Sequence, residues 1–415
     1  LRAGLRIISV HAAFTFVQKH LQAAAMALEK RDITGHALAM RDLIADAASL
    51  KPDTRWEDTL WAHSSEESLC DHQTKARVCV ATLLPFKNGQ PDWDGFVRSV
   101  AWMQQCGEHY GVELVFVLNA DTGYIFDLDL AQYAEVLRRF RDNFPKARFI
   151  AGVTAWQAAQ DSSFKVERYL PQLELAQAHS NNEVMLMTSP HLSALETVAK
   201  RDAYFAIAEH LSAPGIVHAL EPSFVPWAKP FEPWLLHELA NHPKFIGGKI
   251  STLDEPHFLY WAAMCRGLQL PFLPHSGDDY GIATAIRLGL PLLIGAGVSA
   301  CPLICAARDM WLLDSVADKK FKTGSGHFDT RVYKLFEAFQ SFEDLVFRLD
   351  EKLSAAAYKH STAHVLQQLG LLESAETHPR CRDLRGEDEG ARMAEAMRRP
   401  LRVAKRLGIP FFGQS

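Results

Sequence analysis

The residue in this chain with the clearest chemical potential is Lys249, in Phe245-Ile246-Gly247-Gly248-Lys249-Ile250-Ser251, where an ammonium interrupts an apolar, strand-like run. Alternation along a strand sets Ile246 and Ile250 on one face and Lys249 with Gly247 on the other. With the isoleucines packed outward, the lysine points into an interior, beside a glycine that leaves room for a ligand. A confined amine is poorly hydrated, so its pKa falls. Its neutral form attacks a carbonyl to give a Schiff base that acts as an electron sink. A rim lysine paired with a carboxylate is the ordinary alternative.

Further polar residues close similar runs: Asp121-Thr122-Gly123-Tyr124, Thr154, Ser189-Pro190-His191, His218 with Glu221, His275 to Asp279, and Gly295-Ala296-Gly297. A tight glycine-containing turn offers hydroxyl and backbone N–H donors to an anion. Imidazole moves protons near neutral pH. His191, His275, Asp278 and Asp279 serve equally well as loop or helix-cap residues.

The elements that must position these groups follow from periodicity. Eight short β-rich runs, Arg77–Leu84, Val112–Leu118, Arg148–Val153, Glu183–Thr188, Gly215–Leu220, Phe245–Ile250, Pro271–His275 and Pro291–Ile294, alternate with helical stretches. The helical stretches include Trp93–Tyr110, Leu130–Asn143, Phe164–Ala178 and Ala194–Leu211. Eight strand–helix units predict an α/β fold, a closed (β/α)8 TIM barrel of parallel strands whose chemistry sits at strand C-termini. An open doubly wound sheet competes, but no glycine-rich dinucleotide fingerprint follows the first run. Residues 1–76 read as a helical extension and connector, 77–327 as the barrel, and 328–415 as a C-terminal helical region with an amphipathic Val332–Leu349 and a last helix ending near Leu407.

Composition narrows the function classes. The 415 residues are 48% hydrophobic and 22% charged, enough apolar side chain for a large core. A formal charge of −5 offers no broad cationic surface, which argues against nucleic-acid or membrane partners. The basic stretch around Arg398-Arg399 and Lys405-Arg406 reads as a solvated helix face. Ile7–Val17 is too short and too interrupted to span a bilayer and lacks a cleavage pattern, and a chain beginning at Leu1 leaves its true N-terminus open. Seven dispersed cysteines indicate neither a disulfide framework nor a zinc site, which fits a reducing, cytoplasmic setting.

Several segments, in order, resemble the class I aldolase superfamily of dihydrodipicolinate synthase and N-acetylneuraminate lyase. Leu83-Leu84-Pro85-Phe86 with Asp92 looks like its opening "TPF…D" segment, and Ala120-Asp121-Thr122-Gly123 like its "GTTG" loop. Ile150-Ala151-Gly152-Val153 matches "IAG", and Ser189-Pro190 stands where the fourth-strand proline motif falls. Gly247-Gly248-Lys249-Ile250-Ser251 is similar to "GIKDS", Ser276-Gly277-Asp278-Asp279 to "SGDD", and Leu288-Gly289 through Pro302 to the eighth-strand segment. The coverage is roughly residues 77–310, and the collinear order is more specific than any one motif.

The resemblance implies a lyase or aldolase that joins Lys249 to a 2-oxo acid such as pyruvate. It would make or cleave a carbon–carbon bond, with an aldehyde as possible second substrate. Thr122 and Gly123 would bind the substrate carboxylate, and Asp121, Gly152, Glu221, Ser251, Asp278 and Gly295 would lie around the substrate. No cofactor or metal is implied, and the family is usually homo-oligomeric.

Three departures matter. His218 stands where the family has a proton-relaying tyrosine, with Tyr124 as another hydroxyl source. Phe224 stands where synthases acting on a carboxylate-bearing aldehyde have an arginine, and no arginine occurs from Asp202 to Cys265, which argues against dihydrodipicolinate synthesis itself. Asp121 replaces a threonine and adds a negative charge that would repel an anion. Two other readings stay open: a metal-dependent barrel hydrolase or isomerase using Glu221, His275, Asp278 and His218, and a barrel that binds an oxo acid without turnover.

Overall fold

The computed structural model describes residues 77–155, 163–178, 183–253, 255–267, 271–277, 282–287, 290–295, 299–317, 330–347, 357–381 and 386–410. The expected extension over 1–76, and Asp278 and Asp279, lie outside them.

Eight short runs, apolar on both faces, form parallel strands: β1 (Val78–Ala81), β2 (Leu114–Leu118), β3 (Phe149–Val153), β4 (Val184–Leu186), β5 (Gly215–Leu220), β6 (Phe245–Ser251), β7 (Leu273–Ser276) and β8 (Leu292–Ile294). Each pairs with its successor, and β8 pairs with β1, so the sheet closes into a barrel. Strands buried on both faces lack a polar alternation, which is why these runs read as continuous apolar segments. The helices after them are α1 (Trp93–Tyr110), α2 (Leu130–Asn143), α3 (Leu170–Ala178), α4 (Thr197–Ala208), α5 (Pro233–Asn241), α6 (Glu255–Gly267), α7 (Ile282–Arg287) and α8 (Cys301–Ala317). The fold is a (β/α)8 barrel.

Two apolar layers hold it. Cys79, Ala81, Val115, Val117, Ile150, Met185, Met187, Ile216 and Leu293 fill the interior. Val80, Phe116, Val153, Leu186, Val217, Ile250 and Ile294 face the helices. Local chemistry sets the helix ends. Asp92 caps α1 by accepting from the Gly95 N–H, and Asp129 with Gln132 forms a capping box on α2. The expected helix over Ala194–Leu211 forms as α4 from Thr197, and a one-turn helix, Pro190–Ala194, capped by Ser189, precedes it.

β6 departs from simple alternation. Gly215 pairs with Phe245, but Ile216 pairs with Gly247, so Ile246 is an extra, bulged residue. Ile246 packs against the interior cluster, whereas Ile250 faces the helices. The expected pairing of the two isoleucines on one face is therefore corrected. The bulge leaves Lys249 on the inward set.

The C-terminal helices α9 (Thr330–Phe347), α10 (Tyr358–Gln368) and α11 (Glu389–Leu407) pack beside the barrel. The segment after α10 returns to the β1–α1 connection, where the Phe86 N–H donates to the Glu376 carbonyl. Among the described residues no helix is long and apolar enough to cross a membrane.

Candidate active site

Lys249 is 5% exposed, on β6 between two histidines: it pairs with His218 of β5 on one side and His275 of β7 on the other. Both imidazoles are buried. One ring nitrogen of His218, Nδ1, lies 3.0 Å from the Met187 sulfur, and Nε2 lies 3.0 Å from Ser251 Oγ. A thioether only accepts, so Nδ1 carries the proton, and the Ser251 hydroxyl donates to Nε2. Burial, and then the nearby Lys249 charge, hold the His218 pKa well below its usual 6.5. His218 is thus a neutral base whose lone pair is reached through Ser251.

The lysine stem runs past Gly277. A Cβ there would stand 2.7 Å from Lys249 Cε and 2.6 Å from Ser251 Oγ, so glycine is what lets these groups meet. Gly247 has another role than expected. A Cβ there would lie 2.9 Å from the His275 ring, so imidazole, not a ligand, occupies that space. His275 is bonded through Nδ1 to the Leu273 carbonyl at 2.9 Å, and burial followed by the Arg77 charge lowers its pKa to about 3.

Across the mouth, Asp121-Thr122-Gly123 forms a 3-10 turn flanked by Asn119 and Tyr124, both with positive φ (51° and 60°). The donors expected of this turn are already engaged. The Gly123 N–H donates to the Ala120 carbonyl at 3.0 Å, and Thr122 Oγ1 shares a 2.7 Å hydrogen bond with the Tyr358 hydroxyl. Tyr358 also donates to Asp121 Oδ2 (3.2 Å), and Lys359 Nζ donates to Asp121 Oδ1 at 2.8 Å in a buried ion pair. Burial alone would lower the Lys359 pKa, but Asp121 raises it above its ordinary value. This ammonium is charged.

Sequence reasoning missed Tyr358 and Lys359. They lie 236 and 238 residues from their partners, and a Tyr-Lys pair at the start of a helical stretch carries no local pattern that pairs it with a distant turn.

The remaining expected residues divide. Gly295, at the end of β8, belongs with this cluster: its Cβ would stand 3.2 Å from Thr122 Oγ1 and 3.3 Å from the Tyr358 hydroxyl. Tyr124 instead packs edge-on against Phe86 at 5.7 Å and beside His378, in the helix-facing layer. The hydroxyl that joins Thr122 is Tyr358's. Gly152 serves backbone packing, since a Cβ there would come within 2.0 Å of the Asn119 carbonyl oxygen. Glu221 is partly exposed and accepts from Ser223. Phe224 lies 6.2 Å from the Tyr358 ring, centroid to centroid, so Tyr358 reaches from the turn after β2 to the loop after β5. Among the described residues no group of three or more His, Cys, Asp or Glu side chains is arranged to hold a metal ion.

These features define a closed (β/α)8 barrel with one interior lysine at its sixth strand. Solved dihydrodipicolinate synthases share that fold. The enzyme from Oceanobacillus iheyensis matches at 16% identity and a TM-score of 0.60, over 79% of this chain and 98% of its own. That from Thermotoga maritima matches at 14% and 0.61, over 78% and 97%. The chloride-inhibited enzyme from Acinetobacter baumannii, complexed with pyruvate, matches at 17% and 0.61, over 80% and 99%. At such identities the likeness is one of fold. No protein-family model and no curated protein sequence matches the chain.

Proposed function

We propose that this barrel is a Schiff-base lyase or aldolase acting on a 2-oxo acid through Lys249. The observation that carries the reading is the buried, inward Lys249 on one rung with a neutral His218, beside the Ser251 hydroxyl that bridges to it. A sheltered amine flanked by uncharged imidazole is suited to attack, because the ammonium form is the one that burial disfavours.

In the proposed reaction the Lys249 amine adds to the 2-oxo carbon, and the carbonyl oxygen leaves as water. The iminium then draws electrons from the adjacent bond. A C3 proton passes to His218 through the Ser251 hydroxyl, and the resulting enamine attacks an aldehyde. The alkoxide so formed takes that proton back, and water hydrolyses the product iminium to free the Lys249 amine. In reverse, cleavage of the corresponding carbon–carbon bond releases the aldehyde, and His218 returns the proton. The pyruvate-bound relative of the same fold supports a small oxo acid as ligand. Phe224 supports a second substrate without the carboxylate that dihydrodipicolinate synthesis needs. The reading carries the cytoplasmic, oligomeric setting of the resemblance with it.

The test is borohydride reduction with pyruvate and a panel of 2-oxo acids, followed by peptide mass analysis. A reduced adduct on Lys249, absent in Lys249→Ala, is the expected result. A folded wild-type protein that traps none of the panel would overturn the reading.

A further inference from the structure

Resting on that reading, we infer that the second substrate is an aldehyde bearing an aromatic group, received against Phe126 and Trp227 at the mouth of the barrel. Phe126 follows β2 and Trp227 follows β5, strands that are not neighbours, yet their ring centroids lie 5.2 Å apart at 89°. Loops from strands so separated meet only over the end of the barrel. A second crossing runs between the same loops: Tyr358 bonds Thr122 after β2 and packs on Phe224 after β5, with Phe347 5.4 Å from Tyr358. Phe126 also packs against the interior cluster, which includes Met187, and the Met187 sulfur touches His218. The first crossing thus stands above the layer that holds His218 and Lys249.

The two crossings differ in exposure. Phe224, Phe347 and Tyr358 are buried against one another, whereas Phe126 and Trp227 are half-buried and keep ring surface for a ligand. A flat ring packs well on the open side of such an edge-to-face pair. Charge points the same way. The two loops hold Asp121, Asp127, Asp129, Glu221 and Glu232 against a single lysine, Lys229, which is exposed and lies beside Lys200 of α4. Of the cations that the C-terminal region brings to this end, Lys359 pairs with Asp121, and Arg380 donates to the Asp127 carbonyl. This setting favours an uncharged ring over a second carboxylate. Rings that merely packed the two loops together would be indifferent to the aldehyde.

The experiment measures kcat/KM for pyruvate addition to benzaldehyde, acetaldehyde and glyoxylate, with the 4-hydroxy-2-oxo acid products followed by mass spectrometry. Benzaldehyde should be the best acceptor and glyoxylate the poorest. The ratio of benzaldehyde to acetaldehyde should fall about tenfold in Trp227→Ala and stay near the wild-type value in Trp227→Phe, which restores the ring. Saturation-transfer NMR with benzyl alcohol reads the same surface without turnover: its signal should be present in the wild type and lost in folded Trp227→Ala. A preference for glyoxylate, or a ratio and an NMR signal that Trp227→Ala leaves unchanged, overturns the inference even where borohydride traps pyruvate on Lys249. Benzyl alcohol that depends on Trp227 while no adduct forms on Lys249 supports the aromatic site and overturns the Schiff-base reading instead.

Discussion

His218 and Lys249 face each other on one rung of β5 and β6, both buried, with the His218 pKa held well below 6.5 by burial and by the lysine's charge. The two cannot both be protonated cheaply. A charge on Lys249 makes a proton on His218 easier to lose, which keeps the imidazole neutral beside the lysine.

If His218 moves the C3 proton, replacing it with asparagine removes the base and leaves the amine. Exchange of pyruvate methyl protons for deuterium, followed by NMR, should slow by about a hundredfold or more, while the Lys249 adduct still forms. In the wild type the exchange rate should hold as pH falls through 6.5, because the imidazole stays neutral there. Unchanged exchange in His218→Asn would rule the residue out as the base.

Gly277→Ala probes the approach of the lysine. The added methyl would meet Lys249 Cε at 2.7 Å, Ser251 Oγ at 2.6 Å and the Ile250 carbonyl oxygen at 2.7 Å, and the last cannot move without disturbing β6. A stability loss of about 1–3 kcal/mol is expected, with adduct yield on folded protein down severalfold. A variant that traps pyruvate as well as the wild type would show that the stem takes another path.

The barrel was legible because strands buried on both faces are written as apolar runs, as in Phe149–Val153 and Gly215–Leu220, between helices with their own caps. Lys249 was legible for the same reason, since a charge is conspicuous in such a run. What escaped depends on departures from regular local pattern or on distant pairing. Alternation assumes an unbroken ladder, so the bulge at Ile246 was invisible. A glycine promises space but does not say what fills it, and at Gly247 the occupant is His275. The repulsive Asp121 finds its partner 238 residues away in Lys359.

At the other end of the strands, Arg77 and Glu183 form a paired contact, Nη1 to Oε1 at 2.8 Å and Nη2 to Oε2 at 2.5 Å, with the side chains 5% and 15% exposed. In a (β/α)8 barrel this end serves stability, not chemistry. Glu183→Gln leaves the Arg77 charge buried without its counter-ion, at a cost of up to about 3–5 kcal/mol. Urea unfolding should show that loss, while adduct yield per mole of folded protein stays at the wild-type level. A selective loss of trapping would contradict the division of labour.

The two buried histidines also set how stability responds to acid. Their folded pKa values lie below 6.5, well below for His218 and at about 3 for His275, so as pH drops the unfolded chain takes up their protons first. Stability therefore rises with pH across this range: the contribution is present above 6.5 and is lost as pH falls toward the folded values. Between pH 7.5 and 5.5 an imidazole that remains neutral should cost on the order of 1 kcal/mol, and the pair correspondingly more. Exposed acid pairs do not mimic this: Glu135, lowered to about 2 by its hydrogen bonds to Arg138 and Arg139, loses its contribution only below its ordinary 4.5. His242 and His378, also lowered by burial, add to the wild-type slope, so the variants isolate the pair. Urea midpoints at pH 7.5, 6.5 and 5.5 should show His275→Asn losing less stability than the wild type over the range, and His218→Asn with His275→Asn less again. Parallel curves for all three proteins would mean that neither imidazole is held neutral by the fold.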